Sequence, residues 1–561
     1  MPLARVMALV AVAIVFAAPG AGASPTGGPI VLAYPSAQSI PPSGRLPQGG
    51  DPIVTLNAAI GEREGAWLVV TGAQSVSAKI DDSGLGKLKA DLSFAHYVSF
   101  GGGVVPDALL PWNGSSQPLE KPNQPLYLQV SVPADAQPGG YRAVVTVNAD
   151  GKSIDVPVTI RVFDLRLPAP SAMQGNLLTA FHVVPESYVN KVDQMFHLGS
   201  NTARSAANVK LFSFLAGYRI SPAGWGFGEP RSRGGYARSP KWWLDSAENM
   251  IGQSPSSFST LRIPISNQRA SIANRIAGIS PFDLYAWCGY LQSVRGFWAE
   301  HGWLDGHLAY LYALDEPGME GMRIVAQQSA TAHRCWPGSR TLVTANPMPG
   351  NRFVWDGKGN DDVDIWAVLS RRYYGQFNHP LDRFESISAA RQAGAMVWSS
   401  TYTGVAGTPG YSADEPLADP RMFLLWNALE GIRGTLYAQG TTSYGKGNPL
   451  ETAPGNGESV LIYPGADGPV PSARLEQIRD GIEDWDLLDA VRRKHGPDAV
   501  RTILGDAGLF STTPQGVELA CTMGCKLSGA TKFSWPQWSH DAATAAKIEA
   551  AHLQALKLAS G

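Results

Sequence analysis

The stretch His307-Leu-Ala-Tyr-Leu-Tyr-Ala-Leu-Asp-Glu-Pro317 decides how the chain is read. Its apolar run, Leu308 to Leu314, reads as a strand that ends directly in two adjacent carboxylates. Pro317 has no N–H to extend a ladder, so Asp315 and Glu316 belong at the strand's C-terminal end. Similar short apolar segments recur around it, separated by helical stretches: Leu177 to Phe181, Arg219 to Ser221, Leu261 to Pro264, Thr341 to Asn346, Asp364 to Val368, Ala395 to Ser399 and Gly434 to Tyr437. With the first run they make eight candidate strands, the pattern of a (β/α)8 barrel over residues 168–495. In such a barrel the C-terminal strand ends form the active face, which is where the two carboxylates fall. The helix expected over Arg474 to Arg493 carries Leu475, Ile478, Ile482, Trp485, Leu488 and Val491 at helical spacing, a core-packing stripe.

Upstream the rhythm differs. Trp67 to Thr71, Leu126 to Val132, Tyr141 to Val147 and the alternating Val156, Val158, Ile160 and Val162 read as half-buried strands, and Asp150-Gly151 is a hairpin signal. The expected fold class is therefore α/β: a (β/α)8 TIM-type barrel preceded by an N-terminal antiparallel β-sandwich over residues 53–167. Residues 24–52, rich in Pro, Gly and Ser, read as an exposed lead-in, and residues 496–561 as small loops with a last Ala-rich helix. At the start, Arg5, the apolar run Val6 to Ala18 and the A-x-A pattern at Ala21 to Ala23 read as a secretory leader over residues 1–23. The apolar run is short for the roughly 20 residues of a membrane span, no later stretch is long enough, and no Cys lies near the cleavage point to carry a lipid. The expectation is a secreted, soluble protein, extracellular or periplasmic, with no membrane association after cleavage.

Composition bounds the partners. The chain has 561 residues, 44% hydrophobic and 16% charged, with 45 basic against 47 acidic side chains, so no basic field exists to hold nucleic acid. A neutral substrate is expected. Gly 61 and Pro 42 argue for turns and long loops on a rigid scaffold rather than a helical bundle. The four cysteines suggest two disulfides in an oxidising compartment: Cys521 and Cys525 clipping one loop, Cys288 with Cys335 as the other pair. Metal ligation competes for them, but no second C-x-x-C or His pair completes a zinc site. Asp356 to Asp362 is acidic and turn-rich without calcium-loop spacing, Gly101 to Gly103 lacks the context of a phosphate loop, and Asn113-Gly-Ser115 is a bare glycosylation acceptor. No metal and no cofactor are expected.

Glycoside hydrolysis needs an acid to protonate the departing oxygen and a second group to stabilise the cationic sugar carbon. In ordinary retaining enzymes the two carboxylates lie about 5–5.5 Å apart across the bond, whereas neighbours in sequence lie on one side of it. A sequential pair fits substrate assistance, in which a 2-acetamido group is the nucleophile. Adjacent strand residues point to opposite sides, so Asp315 and Glu316 can share one site only if the chain bends there.

Several segments resemble glycoside hydrolase family 123 and the related domain of unknown function 4091 group. They are Pro106-Asp-Ala-Leu-Leu-Pro111, Asn123-Gln-Pro-Leu-Tyr127, Val132-Pro-Ala-Asp-Ala-Gln-Pro-Gly-Gly-Tyr141, Tyr312-Ala-Leu-Asp-Glu-Pro317 and Ser472-Ala-Arg-Leu-Glu-Gln-Ile-Arg-Asp-Gly-Ile-Glu-Asp-Trp485. The resemblance spans roughly residues 55–495. It implies a β-sandwich plus (β/α)8 barrel and a retaining, substrate-assisted β-N-acetylgalactosaminidase, with Asp315 as acetamido stabiliser and Glu316 as general acid/base. The chain departs from the family pattern at Leu436-Tyr-Ala438 and Val397-Trp-Ser-Ser-Thr-Tyr402, both on the expected site face. On a sugar lacking the acetamido group a distant carboxylate would have to serve, with Asp364 and Glu415 as candidates.

Trp225, Trp366, Tyr373, Trp398 and Tyr402 fall at expected strand ends, where rings stack on sugar faces, with core packing as the competing reading. Tyr402 also brings a hydroxyl that suits an acetamido oxygen. Arg219 and His182 follow early strands and suit sugar hydroxyls, although a buried Arg paired with a core carboxylate is an equal reading. The expected partner is an oligosaccharide or polysaccharide. The leading expectation is a glycosidase for β-linked amino sugars, followed by the same fold acting on a furanoside or neutral hexose, and by a non-catalytic carbohydrate-binding protein.

Overall fold

Period-two alternation shapes the N-terminal third. In Lys152–Arg166 the side chains of Val156, Val158, Ile160 and Val162 are buried while Asp155, Pro157 and Arg161 are exposed. The computed structural model describes residues 28–170, 175–223, 258–263, 281–317, 319–347, 363–373, 384–401, 408–437, 441–519 and 531–561. Two five-stranded sheets share one apolar core, and their pairings are antiparallel except for Lys152–Arg166 beside Val54–Ile60. Asp150 and Gly151 both have positive φ, 50° and 81°, the handedness that a two-residue hairpin requires. Ile30–Pro35, within the expected lead-in, is an edge strand paired with Arg63–Thr71. Its Val31 and Ala33 enter the sandwich core, which a Pro/Gly/Ser composition does not announce.

The following sheet has seven parallel strands: β1 (Leu178–Phe181), β2 (Thr260–Arg262), β3 (Leu308–Leu314), β4 (Arg340–Val343), β5 (Ile365–Leu369), β6 (Met396–Thr401) and β7 (Gly434–Tyr437). Their order, β1-β7-β6-β5-β4-β3-β2, wraps into a nearly closed barrel. The expected strand at Arg219 to Ser221 is reduced to one parallel bridge, Phe181 with Pro222. Arg219 is at φ 58° and Pro222 has no N–H, so a continuous ladder cannot form. Hydroxyls stand in for it. Thr179 Oγ1 donates to Arg219 O (3.1 Å) and accepts from Ser221 N–H (2.9 Å), while Ser221 Oγ accepts from Ser259 N–H (3.0 Å) and Thr260 Oγ1 donates to Thr179 O (2.6 Å).

The helices are α1 (Pro185–Phe196), α2 (Asn201–Gly217), α3 (Pro281–Glu300), α4 (Met319–Cys335), α5 (Phe384–Gln392), α6 (Asp419–Glu430), α7 (Ala473–His495), α8 (Pro497–Asp506) and α9 (Thr544–Ser560). Alternate residues of each strand face inward, Tyr310, Tyr312, Ala367 and Trp398 among them, and outward onto the helices, as Leu311, Ala313 and Val368 do. Cys288 and Cys335 form a disulfide between α3 and α4. Cys521, Cys525 and the Asp356 to Asp362 segment lie outside the described residues. No helix among the described residues is long and apolar enough to cross a membrane.

Helix α7 sits between sandwich and barrel and is buried on nearly every side. Its Arg474 grips Asp107 of the sandwich (2.7 and 3.0 Å), which also accepts from Tyr463 Oη (2.6 Å). Removing one partner of such a buried pair typically costs about 3–5 kcal/mol, so the sandwich registers firmly against the barrel.

Candidate active site

Every residue of β3 is buried, and the strand delivers Asp315, half-buried, and Glu316, exposed, at its C-terminal end. Glu316 has φ 44°, a left-handed conformation that an ordinary side chain adopts at a cost of about 1–3 kcal/mol. Strand alternation therefore stops at Asp315, and the bend required of an adjacent pair is present. Opposite, the β3–β4 register shifts between Tyr312 and Leu314. This irregularity brings Thr344, just past β4, to the carboxylate.

Thr344 Oγ1 donates to Asp315 Oδ1 (2.9 Å) and accepts from the Glu316 N–H (2.8 Å), so one hydroxyl fixes both residues. Tyr312 Oη donates to the same Oδ1 (2.9 Å). Burial, with the Asp315 carboxylate adding to it, holds the Tyr312 phenol above its ordinary value, so it stays a proton donor. The Arg262 guanidinium at the end of β2 lies 5.4 Å from the Tyr312 ring centroid and donates to Ala223 O. His182 follows β1, its N–H donating to Tyr437 O (2.8 Å). Desolvation and the Arg262 charge lower its pKa, while Asp315 acts in the opposite sense, which places His182, Arg262 and Asp315 within electrostatic reach of one another.

Other sequence candidates have different surroundings. Trp398 is fully buried inside the barrel, edge-on to Tyr310 (centroids 5.9 Å apart), over Gly434, where a Cβ would come within 2.3 Å of the indole. Trp366 faces outward into the barrel–helix core. Tyr373 is buried against Trp426 at 5.2 Å. Arg219 is bound by Glu483 (3.2 Å) and Asp486 (3.0 Å) of α7, the buried-pair alternative. These four are packing positions rather than rings or cations open to a sugar. Asp364 precedes β5, at the barrel end opposite Asp315, held by His333 (2.7 Å), Arg340 (3.0 Å) and the Thr341 N–H (2.7 Å). Glu415 lies in the β6–α6 connection, where burial and the nearby Asp419 push its carboxyl up to about 8, so near neutrality it is chiefly the neutral acid. Trp225 and Tyr402 lie outside the described residues. Sequence reading missed Tyr312 and Thr344 as supports of Asp315. The first stands three residues ahead of it in the quoted run, but the second is brought in by register alone.

Comparison with known proteins bears on the barrel that carries this pair. Residues 268–491 match the family model for the glycoside hydrolase 123 catalytic domain. A family 123 glycoside hydrolase from Clostridium perfringens, solved to detail glycolipid glycan hydrolysis, superposes with a TM-score of 0.63 at 14% identity, over 95% of this chain and 98% of that one. Two weaker overlaps carry no argument. They are a Parabacteroides merdae β-glucuronidase with glycerol in its active site (TM-score 0.28, 12% identity, 74% of this chain and 50% of that one) and a putative β-galactosidase from Bacteroides fragilis (TM-score 0.26, 10% identity, 76% and 58%). No curated protein sequence matches. The protein is a glycoside hydrolase. Its residues 268–491 resemble the catalytic domain of glycoside hydrolase family 123.

Proposed function

We propose that the protein is an exported, retaining β-N-acetylhexosaminidase of the N-acetylgalactosamine type that works by substrate assistance. The observation that carries this reading is the Asp315–Glu316 pair at the end of β3, with Asp315 oriented by two hydroxyl donors on one oxygen. In the first step Glu316 gives its proton to the glycosidic oxygen as the C1–O bond breaks, and the acetamido carbonyl oxygen of the same sugar bonds to C1. Asp315 accepts from the acetamido N–H and stabilises the positive charge that develops there. Water then adds to C1, giving its proton to Glu316, and the ring opens back to the acetamide with net retention. Asp315 must stay an acceptor throughout, and Tyr312 and Thr344 both donate to its Oδ1. His182 and, in the β6–α6 connection, Tyr402 are our choices for contacts to the sugar. Because the Clostridium perfringens protein hydrolyses glycolipid glycans, we carry a terminal amino sugar on a glycolipid glycan to this chain as substrate class. The leader at residues 1–23 supplies the route out of the cell.

The test sets nitrophenyl β-N-acetylgalactosaminide against the matched β-galactoside, with wild type, Asp315→Asn and Glu316→Gln. Hydrolysis confined to the acetamido sugar, with retained anomeric configuration by NMR and loss in Asp315→Asn, supports the reading. Comparable turnover of the β-galactoside overturns it. Glu316→Gln should lose less on nitrophenyl substrates than on an oligosaccharide, because a good leaving group needs little protonation.

A further inference from the structure

Far from β3 in sequence, the sandwich, α7 and α9 bury a second group of ionisable side chains, none of which has a place in the hydrolytic reaction. Glu62 and Glu64, on the turn and strand after Val54–Ile60, are 2% and 3% exposed, and His552 of α9 is 3% exposed. One ligand atom from each of the three lies within 4.8 Å of the others. His552 Nε2 is 3.6 Å from Glu64 Oε1, 3.9 Å from Glu62 Oε2 and 3.1 Å from the Asn57 carbonyl oxygen. Four ligands held about 2.1 Å from a tetrahedral ion stand roughly 3.4 Å from each other, and the three measured separations bracket that value.

Two features make this more than an acidic cluster. The other ring nitrogen, Nδ1, is 2.8 Å from Asp484 Oδ1. A carboxylate there accepts a hydrogen bond from Nδ1–H, which keeps that proton on Nδ1 and leaves the Nε2 lone pair facing the three oxygens, the usual support for a metal-binding imidazole. Second, among the described residues Glu62 Oε1 is buried without a hydrogen-bond partner, while its Oε2 accepts from the Ala59 N–H (2.6 Å). A buried carboxylate oxygen left so is costly unless a cation meets it. The surrounding charge points the same way. Glu62, Glu64, Asp480 and Asp484 converge on this region, where three of them surround His552 and Arg421 is engaged by Asp484 (2.7 Å), Asp480 (3.6 Å) and Glu549 (3.3 Å).

We propose that Glu62, Glu64, His552 and the Asn57 carbonyl oxygen form a structural site for one divalent transition cation, of the Zn²⁺ class. One nitrogen with three oxygens within 3.9 Å of it suits zinc, whereas calcium takes six to eight oxygens. The ion joins a sandwich turn to the C-terminal helix, and through Asp484 to α7. Being enclosed, it enters as the chain folds.

The test expresses the full chain in medium supplemented with Zn²⁺ and in chelated medium, and measures bound metal by mass spectrometry beside the melting temperature. Expected is about one Zn²⁺ per chain from the first medium and a melting temperature several degrees higher than from the second. His552→Gln and Glu62→Gln should lose the ion. Should both variants fail to fold, wild type grown with Co²⁺ supplies an independent reading, since a tetrahedral nitrogen–oxygen site gives visible absorption bands. Three results overturn the proposal: metal below about a tenth of an equivalent with identical melting in both media, an ion retained in folded His552→Gln, or Ca²⁺ or Mg²⁺ in place of a transition ion. In the first case a proton holds the Nε2 position, donated to Asn57 O.

Discussion

Replacing Thr344 by Val keeps its shape and removes one hydroxyl, which tests whether catalysis depends on how Asp315 is held. That hydroxyl donates to Asp315 Oδ1 (2.9 Å), accepts from the Glu316 N–H (2.8 Å) and lies within hydrogen-bond distance of Tyr312 Oη (3.3 Å). A hydrogen bond to a charged group contributes about 1.5–3 kcal/mol, which corresponds to roughly 10–150-fold if it is fully expressed in the transition state. Tyr312 still donates to Oδ1, so that oxygen keeps a hydroxyl donor and the expected loss lies at the lower end, about 10–50-fold in kcat. KM should change little, because in the proposed mechanism Asp315 is needed most as positive charge grows on the acetamido group. Losing the acceptor for the Glu316 N–H also releases a residue held at φ 44°, which should lower the melting temperature slightly. The assay is hydrolysis of nitrophenyl β-N-acetylgalactosaminide across substrate concentrations, with Thr344→Ser as the rescuing control. A folded Thr344→Val enzyme within twofold of wild type in kcat, while Asp315→Asn is inactive, refutes the positioning argument and leaves the role of Asp315 standing. Activity in Asp315→Asn refutes the role itself.

Gly434→Ala should destabilise the barrel by about 1–3 kcal/mol or more, since the new methyl would meet the Trp398 indole at 2.3 Å in an enclosed interior; an unchanged melting temperature contradicts that packing. Reducing Cys288–Cys335, which spans 47 residues, should cost about 4 kcal/mol by loop entropy, read as a lower denaturant midpoint in reductant; coincident curves with and without reductant count against it. Burial and the nearby Asp419 raise Glu415 to about 8, and burial raises Asp419 to about 7, both above their ordinary 4.5 and 3.8. Each neutral carboxyl therefore contributes stability present in full below about pH 4 and lost as pH rises through 7 to 8. Melting temperature should fall between pH 5 and 8.5, less steeply in Glu415→Gln than in wild type, and an equal slope in the two proteins would show that Glu415 is not the titrating group.

What the chain discloses without its structure depends on whether an element's neighbours lie in the same segment. β3 and β7 begin and end where their apolar runs do, because a strand flanked by breakers carries its own boundaries. The Arg219 to Ser221 segment looks much the same in one dimension, yet it is held by the Thr179 hydroxyl of β1 and the Ser259 N–H just before β2, and its left-handed Arg219 spoils the ladder. Helix α7 shows the limit more sharply. Its apolar stripe predicts one buried face, and its charges by the same logic a solvated one. In the structure Arg474, Arg479, Asp480, Glu483, Asp484 and Asp486 are buried as well, because the helix is enclosed by sandwich, barrel and α9, and each charge meets a partner supplied by one of them or by α7 itself. Periodicity sees only the helix's own side chains, so a charged face that answers another charged face reads as solvent. The same reasoning separates Asp315 from its supports. The carboxylate pair is local and was legible, as was the need for a bend after β3. Thr344 becomes a neighbour only through a register shift between two strands, a relation that exists between segments and in neither of them alone.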